Sequence, residues 1–122
     1  MSTYQDLDIY KIGLALFYQT HPASLKLPKH EMYELGSQLR RASDSVITNI
    51  VEGYGRKRYK ADFIRFLVFS HSSCLETINH LDKLSNLYPT ETENFLELSV
   101  QYDTLGAKIY SFIKYVEQNW KS

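Results

Sequence analysis

Five polar side chains follow one another at helical spacing in the middle of the chain. They stand at steps of four, four, three and four: Arg41, Ser45, Asn49, Glu52 and Arg56. Those steps put all five on one side of a helix with 3.6 residues per turn. Because arginine and glutamate are costly to bury unless they pair, the row predicts a structural hydrogen-bond network that fixes helix register or a subunit contact. A ligand pocket is the alternative interpretation.

Positive charge is concentrated around the same segment. Residues 40–65 carry seven Lys or Arg against three Asp or Glu, whereas the whole chain has 14 of each. Lysine and arginine supply the charge and the donors that phosphate contacts need, and tyrosines such as Tyr54 and Tyr59 add faces for stacking. The basic group therefore predicts a candidate nucleic-acid contact, with a solvated turn as the alternative. Its members are Arg40, Arg41, Arg56, Lys57, Arg58, Lys60 and Arg65.

Histidine and cysteine positions favour structural roles over catalysis or metal binding. His71 and Cys74 share an apolar stripe, whereas an activated thiolate needs an exposed, electropositive setting. Glu76 and His80 are four residues apart, but a di-iron bundle uses Glu-x-x-His on two helices. The serines have no base and orienting acid arranged around them. The sequence therefore predicts no enzyme activity, no metal and no cofactor.

Four amphipathic segments position these residues. Apolar side chains recur at steps of three and four, which predicts helices over about 6–20, 32–52, 59–87 and from about 90 onward. The expected breaks are Pro22, the pair Gly53 and Gly55, and a turn at 88–90. Thr90 with Glu93 resembles a capping box that opens the last helix. An all-α fold follows, an antiparallel up-and-down four-helix bundle that occupies residues 1–122 as a single domain.

Two of the predicted helices have more apolar surface than a bundle core requires. On the second helix Ile47 and Val51 lie to one side of the main stripe, and on the third helix residues 63–69 are apolar nearly all round. Either the loops and the first helix cover this surface, or it is a subunit interface. The second interpretation is favoured and predicts a homo-oligomer.

Composition indicates the compartment. The single cysteine, Cys74, excludes an intrachain disulfide and fits a reducing environment. The N-terminal residues lack the charged and apolar regions of a signal peptide. No run approaches the ~18 apolar residues that span a bilayer. We expect a cytoplasmic protein with no membrane association.

Several segments together are similar to a known family. The stretch QLRRASDSVITNIVEGYGR, with DLDIYK and LPKHEMYEL before it and FIRFLVFSHSSCLE after it, closely resembles the four-helix-bundle family of 23S rRNA intervening-sequence proteins. That family also resembles the accessory variability protein of diversity-generating retroelements. This chain has Ser72, Ser73 and Cys74 where the family often has Gly-Ser before a Leu-x-Glu element.

The resemblance implies a small bacterial protein with an up-and-down bundle that assembles as a homopentameric ring. Retroelement relatives present a basic surface thought to engage nucleic acid and a reverse transcriptase. We therefore expect a non-enzymatic homo-oligomer that binds RNA or DNA through the basic junction of helices two and three. The alternative is a protein-interaction adaptor or scaffold that uses the apolar faces of those helices.

Overall fold

The computed structural model describes residues 2–121, which form four long helices joined by short segments. Their bounds are α1 Asp8–Ser24, α2 Leu35–Gly55, α3 Lys60–Leu87 and α4 Phe95–Asn119. Single 3-10 turns at Tyr4–Asp6 and Lys29–Glu31 precede α1 and α2. No strand occurs among residues 2–121, so the predicted all-α class is confirmed.

Helices α2 and α3 run antiparallel and in close contact. The Ser70 hydroxyl of α3 donates a hydrogen bond of 2.6 Å to the carbonyl oxygen of Val46 in α2. Further along α3, the Ser73 hydroxyl donates to the hydroxyl of Ser45, which precedes Val46. Small side chains at these α3 positions allow the close approach that brings side-chain hydroxyls onto the neighbouring helix.

Helix α4 pairs with α3 in the same antiparallel sense. Ser99, near the start of α4, donates a hydrogen bond of 2.8 Å to Asp82, near the end of α3. Further along α4 the Tyr110 ring lies 6.3 Å from the ring of His71, which comes earlier in α3. Helix α1 closes the bundle by packing on α2 and α4. The predicted four-helix bundle is therefore confirmed.

The predicted apolar stripes converge in one core. Tyr102 is fully buried at its centre, where its hydroxyl lies 3.1 Å from the hydroxyl of Thr20 in α1. Burial raises the pKa of Tyr102 to about 12. The largest fully buried apolar side chains around it come from α2, α3 and α4 and include Leu39, Ile50, Phe63, Leu67, Leu81, Phe95 and Ile109.

Two predicted helix boundaries are wrong. Pro22 does not end α1, which continues to Ser24. The fixed φ of proline is compatible with a helix, and the hydrogen bond that it removes is the one to the carbonyl oxygen of Tyr18 in the preceding turn. The capping box of Thr90 and Glu93 does not form either. Helix α4 begins later, after Asn94, and no side chain caps its first turn.

The ends of α2 also differ from the prediction. The helix begins at Leu35 rather than near residue 32, and the buried carboxylate of Glu31 accepts a hydrogen bond of 3.1 Å from the Leu35 amide. Gly53 does not stop the helix, which continues through Gly55. Gly53 instead permits close packing, since a Cβ there would lie 3.1 Å from the Cβ of Phe66 in α3.

Candidate nucleic-acid interface

Residues 56–59 connect α2 to α3, and together with Lys60, the first residue of α3, they are called here the basic turn. Its backbone is folded tightly, since the amide of Arg56 donates to the carbonyl oxygen of Gly53 at 3.0 Å. The amide of Tyr59 donates in turn to the carbonyl oxygen of Arg56 at 2.9 Å. Four of its five residues are cationic: Arg56, Lys57, Arg58 and Lys60.

Aromatic rings lie among these cations. The guanidinium carbons of Arg56 and Arg65 lie 4.8 and 5.5 Å from the centre of the Phe66 ring. The ammonium of Lys57 lies 3.9 Å from the centre of the Tyr54 ring. Attraction between cations and ring faces orients these side chains while their charge remains near the surface. The geometry thus combines positive charge and π faces around the connection between α2 and α3.

The end of α4 braces the basic turn. The indole Nε1 of Trp120 donates a hydrogen bond of 2.8 Å to the carbonyl oxygen of Lys57, and its ring packs edge-on against Phe63. The ammonium of Lys60 donates a hydrogen bond of 2.6 Å to the carbonyl oxygen of Glu117. The turn is therefore held by both of its own helices and by a third.

Two members of the predicted basic group lie elsewhere. Arg40 and Arg41 precede Arg56 by fifteen residues or more, which is about 22 Å or more along a helix. Arg40 donates to the hydroxyl of Ser24 at 3.0 Å and to the carbonyl oxygen of Met32, so it holds the segment that joins α1 to α2. Neither arginine belongs to the basic turn.

The structure divides the predicted polar row into two interacting pairs, Ser45 with Asn49 and Glu52 with Arg56. Asn49 donates hydrogen bonds of 2.9 Å to both the carbonyl oxygen and the hydroxyl of Ser45, beside α3. Glu52 and Arg56 form an exposed ion pair at 3.4 Å, of a kind that contributes little to stability. Arg41 is exposed and makes no hydrogen bond or ion pair with any residue that the structure describes.

The histidines and the cysteine occupy structural surroundings. Burial raises the pKa of Cys74 to about 12, so its thiol is neutral and unreactive at ordinary pH. His71 is half-buried in the groove between α3 and α4. His80 is buried, and its Nε2 lies 3.5 Å from the carboxylate of Glu76. Across residues 2–121, no cluster of three or more metal-ligating side chains forms.

Apolar side chains remain exposed on two helices. Ile47 is only 7% exposed because it packs on Gly13 of α1. The first helix therefore covers this side chain, which is not part of an exposed surface. On α3, Val68, Phe69 and Leu75 are each between 44% and 56% exposed. The sequence analysis did not identify a further exposed apolar set on α4, which comprises Leu96, Val100, Tyr110 and Tyr115.

The sequence analysis also missed Trp120. It stands four residues beyond Val116, so it continues the apolar stripe of α4, and that spacing was the only signal that could have identified it. Its partner Lys57 is 63 residues away, and no local pattern connects the two.

The fold and the site define an antiparallel four-helix bundle with a braced cationic turn between its second and third helices. Residues 5–111 match the family of 23S rRNA-intervening sequence proteins, and the chain belongs to that family. No curated protein matches the chain. None of the helices in residues 2–121 has both the length and the hydrophobicity that crossing a bilayer requires.

Proposed function

We propose that this chain is a non-enzymatic, homo-oligomeric protein that binds RNA or DNA through its basic turn. The observation that supports this most strongly is the set of cations in the basic turn beside the exposed ring of Tyr59. The backbone of that turn is held by α2, α3 and the end of α4. Nucleic-acid backbones are recognised by positive charge and hydrogen-bond donors, without a requirement for a catalytic constellation.

The charge of the site is local. The turn and Arg65 contribute five cations, and the carboxylates nearest to them along the chain are those of Glu52 and Asp62. Glu117 of α4 also lies beside the turn, and its carboxylate pairs with Lys114. The chain as a whole is neutral, so a polyanion is attracted by this surface rather than by the net charge. One copy neutralises few phosphates, and affinity for a backbone grows with the number neutralised.

Self-association would multiply the site. Val68 and Leu75 are seven residues apart and share one side of α3, whereas Phe69 lies about 100° further round the helix. Apolar surface on two different sides of a helix suits a heterologous contact, in which one face of a copy meets another face of the next and the contacts close a ring. The family resemblance suggests five copies, each with its own basic turn.

A mobility-shift titration of a structured RNA checks the binding. We expect retarded migration at micromolar protein and low salt, with retardation lost as salt rises, because counterion release makes phosphate contacts salt-dependent. Unchanged migration at low salt would remove the proposal.

Light scattering checks the assembly. We expect a mass of about five times the 14.3 kDa of one copy. A strictly monomeric mass at high concentration would contradict the ring and the multiplied binding surface that depends on it.

The exposed apolar side chains of α3 and α4 favour a second function. A protein-interaction adaptor would use them to hold a partner, and its complexes would survive nuclease treatment. Complexes that disappear on nuclease treatment favour the nucleic-acid proposal instead.

A further inference from the structure

Tyr59 differs from the other aromatic residues around the basic turn. Its side chain is 60% exposed, whereas Tyr54 is half-buried between the ammonium of Lys57 and the edge of Phe63. Phe66 is also half-buried, beneath two guanidinium groups. Of the rings in and beside the turn in residues 54–66, Tyr59 is therefore the one that offers an open face to a ligand.

The position of Tyr59 places that face next to positive charge. The guanidinium carbon of Arg58 lies 5.9 Å from the centre of the Tyr59 ring, and Lys60 follows directly in the chain. Tyr59 is the N-cap residue of α3, but its side chain makes no capping hydrogen bond. The side chain therefore takes no part in capping the start of α3, and it lies between two cationic residues, Arg58 and Lys60, that are suited to phosphate contacts.

The backbone beneath the ring is fixed before any ligand arrives. The amide of Tyr59 is hydrogen bonded within the turn, and the carbonyl oxygen of Lys57 is bonded to Trp120. A ring on a rigid backbone loses little conformational freedom on binding, which favours affinity.

We infer that the Tyr59 ring is a stacking platform for an unpaired base, so that the preferred ligand is single-stranded RNA or DNA, or the loop of a folded RNA. This rests on the proposed function. Bases within a duplex are stacked on each other and offer no free face, so a duplex gains only the phosphate contacts of the turn. An unpaired strand gains those contacts and the stacking of a base on the ring.

The experiment compares one labelled strand in two forms. A non-self-complementary RNA of about 12 nucleotides, comparable to known single-strand site sizes, is titrated alone and as a perfect duplex, with fluorescence anisotropy as the readout. We expect the wild-type protein to bind the single strand more tightly. Tyr59→Ala should weaken single-strand binding by about 5- to 100-fold and leave duplex binding unchanged.

Three further variants separate stacking from folding. Tyr59→Phe keeps the ring and should retain the preference, because stacking does not need the hydroxyl. Tyr59→Leu keeps the apolar bulk without a π face and should lose the preference for the single strand. Tyr33→Ala, at a tyrosine that is 86% exposed but lies before α2, should change neither affinity.

The outcomes distinguish this inference from the proposed function. Equal affinity for both forms, with Tyr59→Ala and Tyr59→Leu within twofold of wild type, overturns the stacking platform while the binding itself stands. Failure of the wild-type protein to bind either form at low salt overturns both.

Discussion

Trp120 and Lys57 are joined by a hydrogen bond of 2.8 Å from the indole Nε1 to the main-chain carbonyl oxygen. The two residues are 63 positions apart, and the bond ties the end of α4 to the turn between α2 and α3. Because the bond uses the backbone of Lys57, it fixes the turn without engaging the lysine ammonium, which lies 3.9 Å from the centre of the Tyr54 ring. The cationic residues are thus presented by a braced loop.

Replacing this indole should loosen the turn. Trp120→Phe keeps an aromatic ring against Phe63 but removes the N–H donor, and we expect a loss of about 1 kcal/mol in the free energy of unfolding. Amide hydrogen exchange at Arg56 and Tyr59 should become faster than in the wild type. Unchanged exchange in the turn would show that its own hydrogen bonds are sufficient to hold it.

Arg40 should contribute to stability rather than to binding. Its guanidinium reaches both the Ser24 hydroxyl and the Met32 carbonyl oxygen, and a lysine cannot reproduce that fork. Arg40→Lys keeps the charge, and we expect it to lower the free energy of unfolding by about 1 to 2 kcal/mol in urea titrations. RNA affinity should stay the same. A variant of normal stability and weakened affinity would place Arg40 in the binding surface.

Two glycines of α2 form a matched pair. A Cβ on Gly36 would overlap the carbonyl oxygen of Glu31, whereas a Cβ on Gly55 meets nothing within 4 Å. Gly36→Ala should therefore destabilise the protein by about 1 to 3 kcal/mol. Gly55→Ala should be neutral or stabilising by up to about 1 kcal/mol, because alanine favours the helix. Thermal unfolding of both variants measures the difference, and equal effects would contradict the close contact at Gly36.

Stability should fall at alkaline pH because of two buried groups. Burial raises the pKa of Cys74 from 9.0 to about 12, and that of Tyr102 from 10.0 to about 12. Below their ordinary pKa values of 9.0 and 10.0, both groups are protonated in the folded and the unfolded chain, and the stability that their burial contributes is fully present. Above those values the unfolded chain releases protons that the folded chain retains, and stability is lost progressively as pH rises towards 12.

The contribution of Cys74 can be isolated. Urea unfolding at about pH 8 and about pH 10.5 should show a smaller decrease for Cys74→Ala than for the wild type. The native thiol should also resist alkylation at the lower pH and react only after unfolding. Rapid native alkylation would contradict the burial of this residue.

Local patterns predicted most of the architecture. The recurrence of apolar residues at three and four positions identified all four helices. Helix ends were less predictable. Pro22 lies inside α1 and does not end it, and the start of α2 depends on the Glu31 carboxylate, which accepts from the Leu35 amide.

The candidate site was predictable in composition but not in arrangement. Positive charge in the sequence window 40–65 indicated the basic group, yet the rise of the helix separates Arg40 and Arg41 from the turn. The bracing by Trp120 and the exposure of Tyr59 depend on tertiary packing. Spacing along the chain could not distinguish the open ring of Tyr59 from the covered ring of Tyr54.

The salt dependence of RNA binding tests the role of the basic turn most directly. The double variant Lys57→Gln with Arg58→Gln removes two cations from the turn. The matched control Lys83→Gln with Lys108→Gln removes two exposed cations elsewhere. For a single strand we predict that the slope of log affinity against log salt becomes less negative by about 1.4 in the turn variant and stays at the wild-type value in the control. Equal slopes for all three proteins would contradict the assignment of the basic turn as the nucleic-acid contact.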